Sequence, residues 1–188
     1  MPTHKNQLRI IGGTHKRRII KFADAEGLRP TPDRVRETLF NWLGQDLTGK
    51  RCLDAFSGSG AMAFEAASRN ASQVMAIESS RKVADAISQN QRLLALNNLK
   101  LVNGDAFAFM TATTERFDVI FLDPPFAQDW WKRLAPLVER IAQPGAMIYC
   151  EYASELIEFG TFTRLKQGRA GMVHYHLFAN ENYSTGES

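Results

Sequence analysis

The run Val119-Ile120-Phe121-Leu122-Asp123-Pro124-Pro125-Phe126 joins an apolar stretch to one carboxylate, two prolines and an aromatic ring. The apolar stretch reads as a strand that delivers Asp123 at its end, and the fixed φ of Pro124 and Pro125 stiffens the loop beyond it. That pattern suits chemistry on a nucleobase amine, which is a poor nucleophile because its lone pair is delocalised into the ring. Two acceptors aimed at its hydrogens, the Asp123 carboxylate and the Pro124 carbonyl, draw that lone pair out of conjugation. The nitrogen can then attack a sulfonium methyl in line, with positioning supplying most of the advantage. Phe126 offers a ring face on which an extruded base can stack. Asp123, Pro124, Pro125 and Phe126 are therefore the candidate catalytic residues. The bland alternative is a rigid loop in which Asp123 caps the next helix and Phe126 fills the core.

A second constellation lies upstream. Asp54-Ala55-Phe56-Ser57-Gly58-Ser59-Gly60 reads as a strand end followed by a glycine turn that lets backbone approach a ligand closely. Glu78 follows at the end of the next strand, where a carboxylate can accept both hydroxyls of a ribose. Asp105 can accept from an adenine amino group, with the Asp105–Ala106 backbone at the ring edge. The candidate cofactor contacts are Asp54, Ser57, Gly58, Gly60, Glu78, Ser79, Asp105 and Ala106. A glycine turn is shared with nicotinamide dinucleotide sites, but position 63 is Ala where the third glycine of that fingerprint belongs. Asp54 just before the turn also suits a cationic ligand end better than a pyrophosphate, and no residue set for hydride transfer is recognisable.

These groups need elements to hold them. From residue 51 the chain alternates strand and helix: strands over 51–56, 73–77, 99–102, 117–122 and 146–152, with helices over 61–69, 81–94 and 130–141. Strands over 159–166 and 172–178 close the chain as an antiparallel pair around Gln167–Gly171. The expected fold is α/β and Rossmann-like, a mostly parallel seven-stranded sheet with an antiparallel C-terminal edge. Ligands of such sheets bind at the carboxyl ends of the strands, which is where Asp54, Glu78, Asp105 and Asp123 fall. Upstream, Ile10-Ile11 and Ile19-Ile20 flank Gly12-Gly13 as a short hairpin, and Thr31 or Asp33 is placed to cap a helix carrying Val35, Leu39 and Leu43. One domain spans 1–188, with an amino-terminal basic extension over 1–36, a catalytic core over 51–179 and a polar tail over 180–188.

Charge is distributed unevenly along the 188 residues. Residues 1–36 hold nine Lys or Arg against three acids, whereas 37–188 hold fourteen against seventeen. A basic arm on a mildly acidic body suits a polyanionic partner. Arg9, Lys16, Arg17 and Arg18 are expected on phosphates, with Arg29, Arg34 and Arg36 as further candidates, one of which could pair with a carboxylate instead. Cys52 and Cys150 each sit in an apolar run and read as buried thiols rather than a disulfide or metal site. The four histidines show no metal-ligand spacing. No secretory leader or membrane span is recognisable, so a cytoplasmic location is expected.

Several blocks resemble the bacterial ribosomal small-subunit methyltransferase D family, whose members are 16S rRNA guanine-N2 methyltransferases acting on the guanine conventionally numbered 966. The resemblance covers essentially the whole chain. It rests on Arg9-Ile10-Ile11-Gly12-Gly13, on Arg29-Pro30-Thr31-Pro32-Asp33-Arg34-Val35-Arg36-Glu37 running into Phe40-Asn41-Trp42, and on Leu53 to Gly60. Glu65 to Arg69 and Asp123-Pro124-Pro125-Phe126 complete it. Ala63 and Asn70 depart from glycines usual in the family, and both changes are mild. The resemblance implies S-adenosylmethionine held by Asp54, Gly58, Gly60, Glu78 and Asp105, without a metal. It further implies guanine held by Asp123 to Phe126, and 16S rRNA met within protein-bearing small-subunit particles, with contacts to ribosomal proteins. The catalytic motif alone is shared with adenine-N6 methyltransferases of DNA or RNA, which remain the main rival. A non-catalytic RNA-binding assembly factor is the rival outside enzymes.

Overall fold

The computed structural model describes residues 6–125 and 130–181. The chain opens with β1 (Gln7–Arg9) and β2 (Ile19–Lys21), paired antiparallel as the hairpin expected from the sequence. Helix α1 (Asp33–Leu43) follows, then β3 (Arg51–Asp54), α2 (Ala61–Ser68), β4 (Gln73–Glu78), α3 (Arg81–Leu93) and β5 (Leu99–Asn103). The chain continues with α4 (Ala106–Ala112), β6 (Phe117–Leu122), α5 (Trp130–Ile141), β7 (Ala142–Tyr152), β8 (Thr163–Ala170) and β9 (Val173–Ala179). The seven-stranded sheet has the order β5-β4-β3-β6-β7-β9-β8, and β3 to β7 pair in parallel. Strand β9 runs antiparallel between β7 and β8, so the expected edge is present. Between β3 and β6 the strand order reverses, which opens a crevice at their carboxyl ends.

Two apolar layers cover the sheet. One gathers Cys52, Phe121 and Tyr149 with Val35, Leu39 and Phe40 of α1, the alanines of α2 and Ile87 of α3. The other gathers Leu53, Ile120, Leu122, Ile148 and Cys150 with Met110 of α4 and Leu134, Val138 and Ile141 of α5. Alternation along each strand thus sends odd and even positions to opposite layers. Cys52 and Cys150 are buried free thiols in different layers.

The structure corrects four local expectations. Pro32 occupies the N-cap of α1 with no side-chain cap, because the Thr31 hydroxyl is engaged elsewhere and Asp33 is already helical. Helix α4 was not expected at all; the carboxylate of Asp105, a candidate cofactor contact, accepts the Ala108 N–H at 2.8 Å as its N-cap. Strand β7 begins at Ala142 rather than 146. Strand β8 begins at Thr163 and continues pairing through Gln167 to Ala170, which moves the turn to Gly171-Met172. Gly44 closes α1 in a left-handed conformation, and Asn70 takes φ +69° after α2.

The basic hairpin lies against the body. Leu8, Ile10 and Ile20 are buried in the layer of α2 and α3. Thr14 N–H donates to the Ser68 carbonyl at 2.7 Å, His15 N–H to Ser68 Oγ at 2.9 Å, and Asn90 bonds both backbone groups of Lys21. The fully buried Glu65 carboxylate takes four donors: the N–H groups of Ile11 (3.0 Å) and Gly12 (2.7 Å), and the guanidiniums of Arg36 (3.2 Å) and Arg69 (2.9 Å). Gly13, at φ +73°, approaches α2 so closely that a Cβ would overlap the Ser68 carbonyl.

Candidate active site

Strand β3 ends at Asp54, and the chain turns through Ser57–Gly60 into α2. Gly60 has φ +80°, and a Cβ there would stand 2.7 Å from the Phe64 ring, so the turn requires glycine. Asp54 is 3% exposed; its Oδ2 accepts the Ala63 N–H at 3.1 Å. That bond caps the start of α2 with a carboxylate, where a dinucleotide site leaves the helix N–H groups open to phosphate. The donor set therefore fits a ligand that brings a cation to this end. Burial, then the charges of Glu78 and Glu151, raise the Asp54 carboxyl to about 7, against the lowering by the Ala63 N–H.

Glu78 ends the neighbouring strand, half-buried, with Oε2 accepting from Gly58 N–H (2.9 Å) and Oε1 from Ser80 N–H (2.7 Å). The Asn103 amide donates to the carbonyls of Glu78 (2.8 Å) and Ser79 (3.2 Å), which ties the ends of β4 and β5 together. Asp105 is exposed and Ala106 buried beside it. Gly58, Gly60, Glu78, Ser79, Asp105 and Ala106 thus gather along the carboxyl ends of three adjacent strands. The Ser57 hydroxyl donates to the Asp54 carbonyl and its N–H to the Ile77 carbonyl, so both donors shape the turn.

Asp123 follows β6 directly. Phe121 pairs with Asp54, and Leu122 with Cys150, so the next positions bring Asp123 beside Glu151. Alternation puts Asp54, Asp123 and Glu151 on one face, the face of Phe121 and Tyr149. Glu151 is 8% exposed and its Oε1 accepts the hydroxyls of Thr31 (2.7 Å) and Tyr149 (2.9 Å). Surrounding protein, then the Glu151 and Asp54 charges, push the Asp123 carboxyl well above the usual range. Its side chain still meets solvent, so crowding by like charges is the firmer of those causes. Burial raises Glu151 too, opposed by the Thr31 and Tyr149 hydroxyls. Pro124 is buried and Pro125 exposed. Phe126 lies outside the described residues.

Glu151 was missed from the sequence, although an acid closing an apolar strand was the signal that identified Asp54 and Asp123. Beyond the Asp123 loop, Trp131 is core, packed on Tyr152 and Phe159. Trp130 is half-buried and closes an aromatic triangle with Phe56 and Phe107 next to Ala106.

The basic residues separate into groups. Arg29 and Arg34 are exposed on either side of Thr31, at the carboxylate end of the sheet, and exposed Arg9 stands 3.6 Å from Asp33. Lys16, Arg17 and Arg18 are exposed on the loop held at the carboxyl end of α2, whose eight residues set them roughly 12 Å from the glycine turn. A cleft of about 430 Å³ between that loop and α1, lined by Lys16, Glu37, Asn41 and Arg69 among others, is likewise remote from the carboxylates. Arg36 is corrected: it is fully buried between Asp33 and Glu65 and cannot reach a phosphate. Among the described residues no group of His, Cys, Asp and Glu could hold a metal, and no helix is long and apolar enough to cross a membrane.

A family model described as conserved hypothetical protein 95 matches residues 8–179. The ribosomal RNA small subunit methyltransferase D of Haemophilus influenzae is 37% identical over 187 residues, which cover 95% of this chain and 97% of that protein. Its namesake in Escherichia coli is 38% identical over 197 residues, covering 100% and 97%. Among solved structures, a putative methyltransferase from Escherichia coli matches with a TM-score of 0.85 at 36% identity, covering 93% of this chain and 98% of that one. A putative S-adenosylmethionine-dependent methyltransferase from Streptococcus mutans, 17% identical, matches with a TM-score of 0.73 over 94% of this chain and 56% of its own, and shares the fold. The sheet order is thus that of an S-adenosylmethionine-dependent methyltransferase fold, and the chain belongs to the ribosomal RNA small subunit methyltransferase D family.

Proposed function

We propose that the chain transfers a methyl group from S-adenosylmethionine to the N2 amine of one guanine in 16S rRNA of the small ribosomal subunit. The observation that carries this reading is the row of carboxylates at the switch point: Asp54 at the glycine turn and Asp123 on the neighbouring strand, facing the same way. Family membership supports rRNA as the substrate, since the full-length relatives are named for the small subunit.

Bound S-adenosylmethionine supplies a methyl group on a cationic sulfur. Asp54 holds the cationic end of that molecule, Glu78 its ribose hydroxyls, and Asp105 with Ala106 its base. Asp123 and the Pro124 carbonyl accept the two amine hydrogens of the guanine, which localises the nitrogen lone pair and aims it at the methyl. The new N–C bond forms as the S–C bond breaks, the thioether departs, and the amine proton passes to Asp123 or water. An Asp123 carboxyl raised by its neighbours is better matched to that proton than an ordinary carboxylate. Phe126 stacks on the base. Arg9, Arg29 and Arg34 hold phosphates near the target, while Lys16, Arg17 and Arg18 hold the strand farther off. The RNA is met within assembling small-subunit particles, where ribosomal proteins form part of the surface.

Incubating the purified chain with small-subunit RNA, free and in reconstituted particles, and methyl-labelled S-adenosylmethionine tests the reading. Digestion should yield labelled N2-methylguanosine. Labelled N6-methyladenosine would favour the adenine alternative, and no label in either substrate would favour an assembly factor without turnover.

A further inference from the structure

Glu151 is the one carboxylate of the row that the methyl-transfer scheme leaves without a task. It stands beside Asp123 on the side away from Asp54, so a base whose amine is held by Asp123 meets it next. Its Oε1 is committed to the Thr31 and Tyr149 hydroxyls, and no donor among the described residues reaches Oε2. Adjacent strands lie ~4.8 Å apart, a spacing at which two acceptors can serve neighbouring donors on one flat edge. Guanine presents such an edge, with the N2 amine and the ring N1–H side by side.

We infer that Glu151 is a specificity-determining residue: its Oε2 accepts the ring N1–H of the target guanine while Asp123 holds the adjacent amine. This rests on the guanine reading above and adds to it the group that separates guanine from other purines. A base carrying a lone pair at N1 sets acceptor against acceptor in a buried site and is rejected. Thr31 and Tyr149 matter because, as donors, they fix which oxygen is left for the base. They also make the outcome of Glu151→Gln specific: the amide oxygen takes the two hydroxyls and the NH2 group faces the base. That variant repels an N1–H and welcomes an N1 lone pair.

The test uses small-subunit RNA, splint-ligated and assembled with small-subunit proteins, carrying either guanine or 2-aminopurine at the target. 2-Aminopurine keeps the 2-amino group and has an acceptor at N1. The wild-type chain should favour guanine by ~100-fold or more in kcat/KM, and E151Q should narrow that ratio at least tenfold or invert it. Affinity for S-adenosylhomocysteine, measured by calorimetry, should stay at the wild-type value, a split that a general loss of structure would not give. Comparable wild-type rates on both bases, or an unchanged ratio in E151Q, overturns the inference. Should E151Q fail to fold, Glu151→Asp, which withdraws the carboxylate by one methylene, must narrow the ratio, and an unchanged ratio again overturns it. Failure of the guanine reading looks different: the wild-type chain then forms no N2-methylguanosine on the guanine substrate.

Discussion

Thr31 donates a 2.7 Å hydrogen bond to Glu151, 120 residues later in the chain. That bond lays the segment leading into α1 across the carboxyl end of the sheet, where Leu28 also stands 3.0 Å from the position a Cβ on Gly58 would take. The amino-terminal region is therefore a wall of the candidate active site as well as a basic arm. Its exposed Arg29 and Arg34 reach the rim by the same route.

Replacing Asp123 with Ala should lower kcat for methyl transfer by ~10³-fold or more, because the acceptor that activates the amine is lost. Cofactor affinity should change little, since Asp54, Glu78 and Asp105 are untouched. Single-turnover assays and calorimetry check both, and full turnover in the variant contradicts the scheme.

Replacing Lys16, Arg17 and Arg18 together with Ser should weaken RNA binding and reduce the slope of log K against log salt by about 2 to 3. Their distance from the glycine turn predicts that kcat at saturating RNA is retained. A filter-binding titration at several salt concentrations checks this, and an unchanged slope moves the phosphate contact elsewhere.

Glu65→Ala should destabilise the fold by ~3–5 kcal/mol, because it leaves Arg36 and Arg69 buried with a partner gone and the Ile11 and Gly12 N–H groups unpaired. Denaturant unfolding measures it. A loss below ~1 kcal/mol would mean that the hairpin is held chiefly by its apolar contacts.

The Glu65 cluster also shows why parts of the molecule were hidden in the sequence. Arg36 lies four and seven residues from Phe40 and Leu43, on the apolar side of α1, so its spacing foretold burial; its charge, read with the other arginines, pointed outward. Glu65 sits in an alanine-rich helix buried on every side, where only a tertiary partner reveals what the carboxylate does. Helix α4, at seven residues, is too short for its period to declare itself, and Asp105 is equally at home in a turn or an N-cap. The alternating strands, the glycine turn and the acids at strand ends were legible because each is local. Glu151 carried the same local mark, an acid closing an apolar strand, but its place beside Asp123 depends on the register of β7 against β6, which no local pattern carries.

Stability should depend on pH through Asp54. Its carboxyl is raised from 3.8 to about 7 in the folded chain, so between those values the fold binds a proton more tightly than the unfolded chain does. Stability from this group is full below about 4 and is lost as pH rises through about 7, an effect on the order of 4 kcal/mol. Asp123 and Glu151 are raised in the same direction and act with it. Without ligand, Asp54→Asn should flatten the fall in Tm across pH 4–7 relative to wild type, read by calorimetry. Parallel profiles would place the carboxyl in an ordinary environment.

The central claim is a methyl group placed on guanine N2 in small-subunit rRNA, and nucleoside mass spectrometry reads it directly. 16S rRNA from cells with the intact gene, without it, and with only the Asp123→Ala form should be digested and compared. The account predicts N2-methylguanosine at one mapped position in the first sample and its loss in the other two. Retention of that nucleoside in all three, or the loss of a methyladenosine instead, contradicts it.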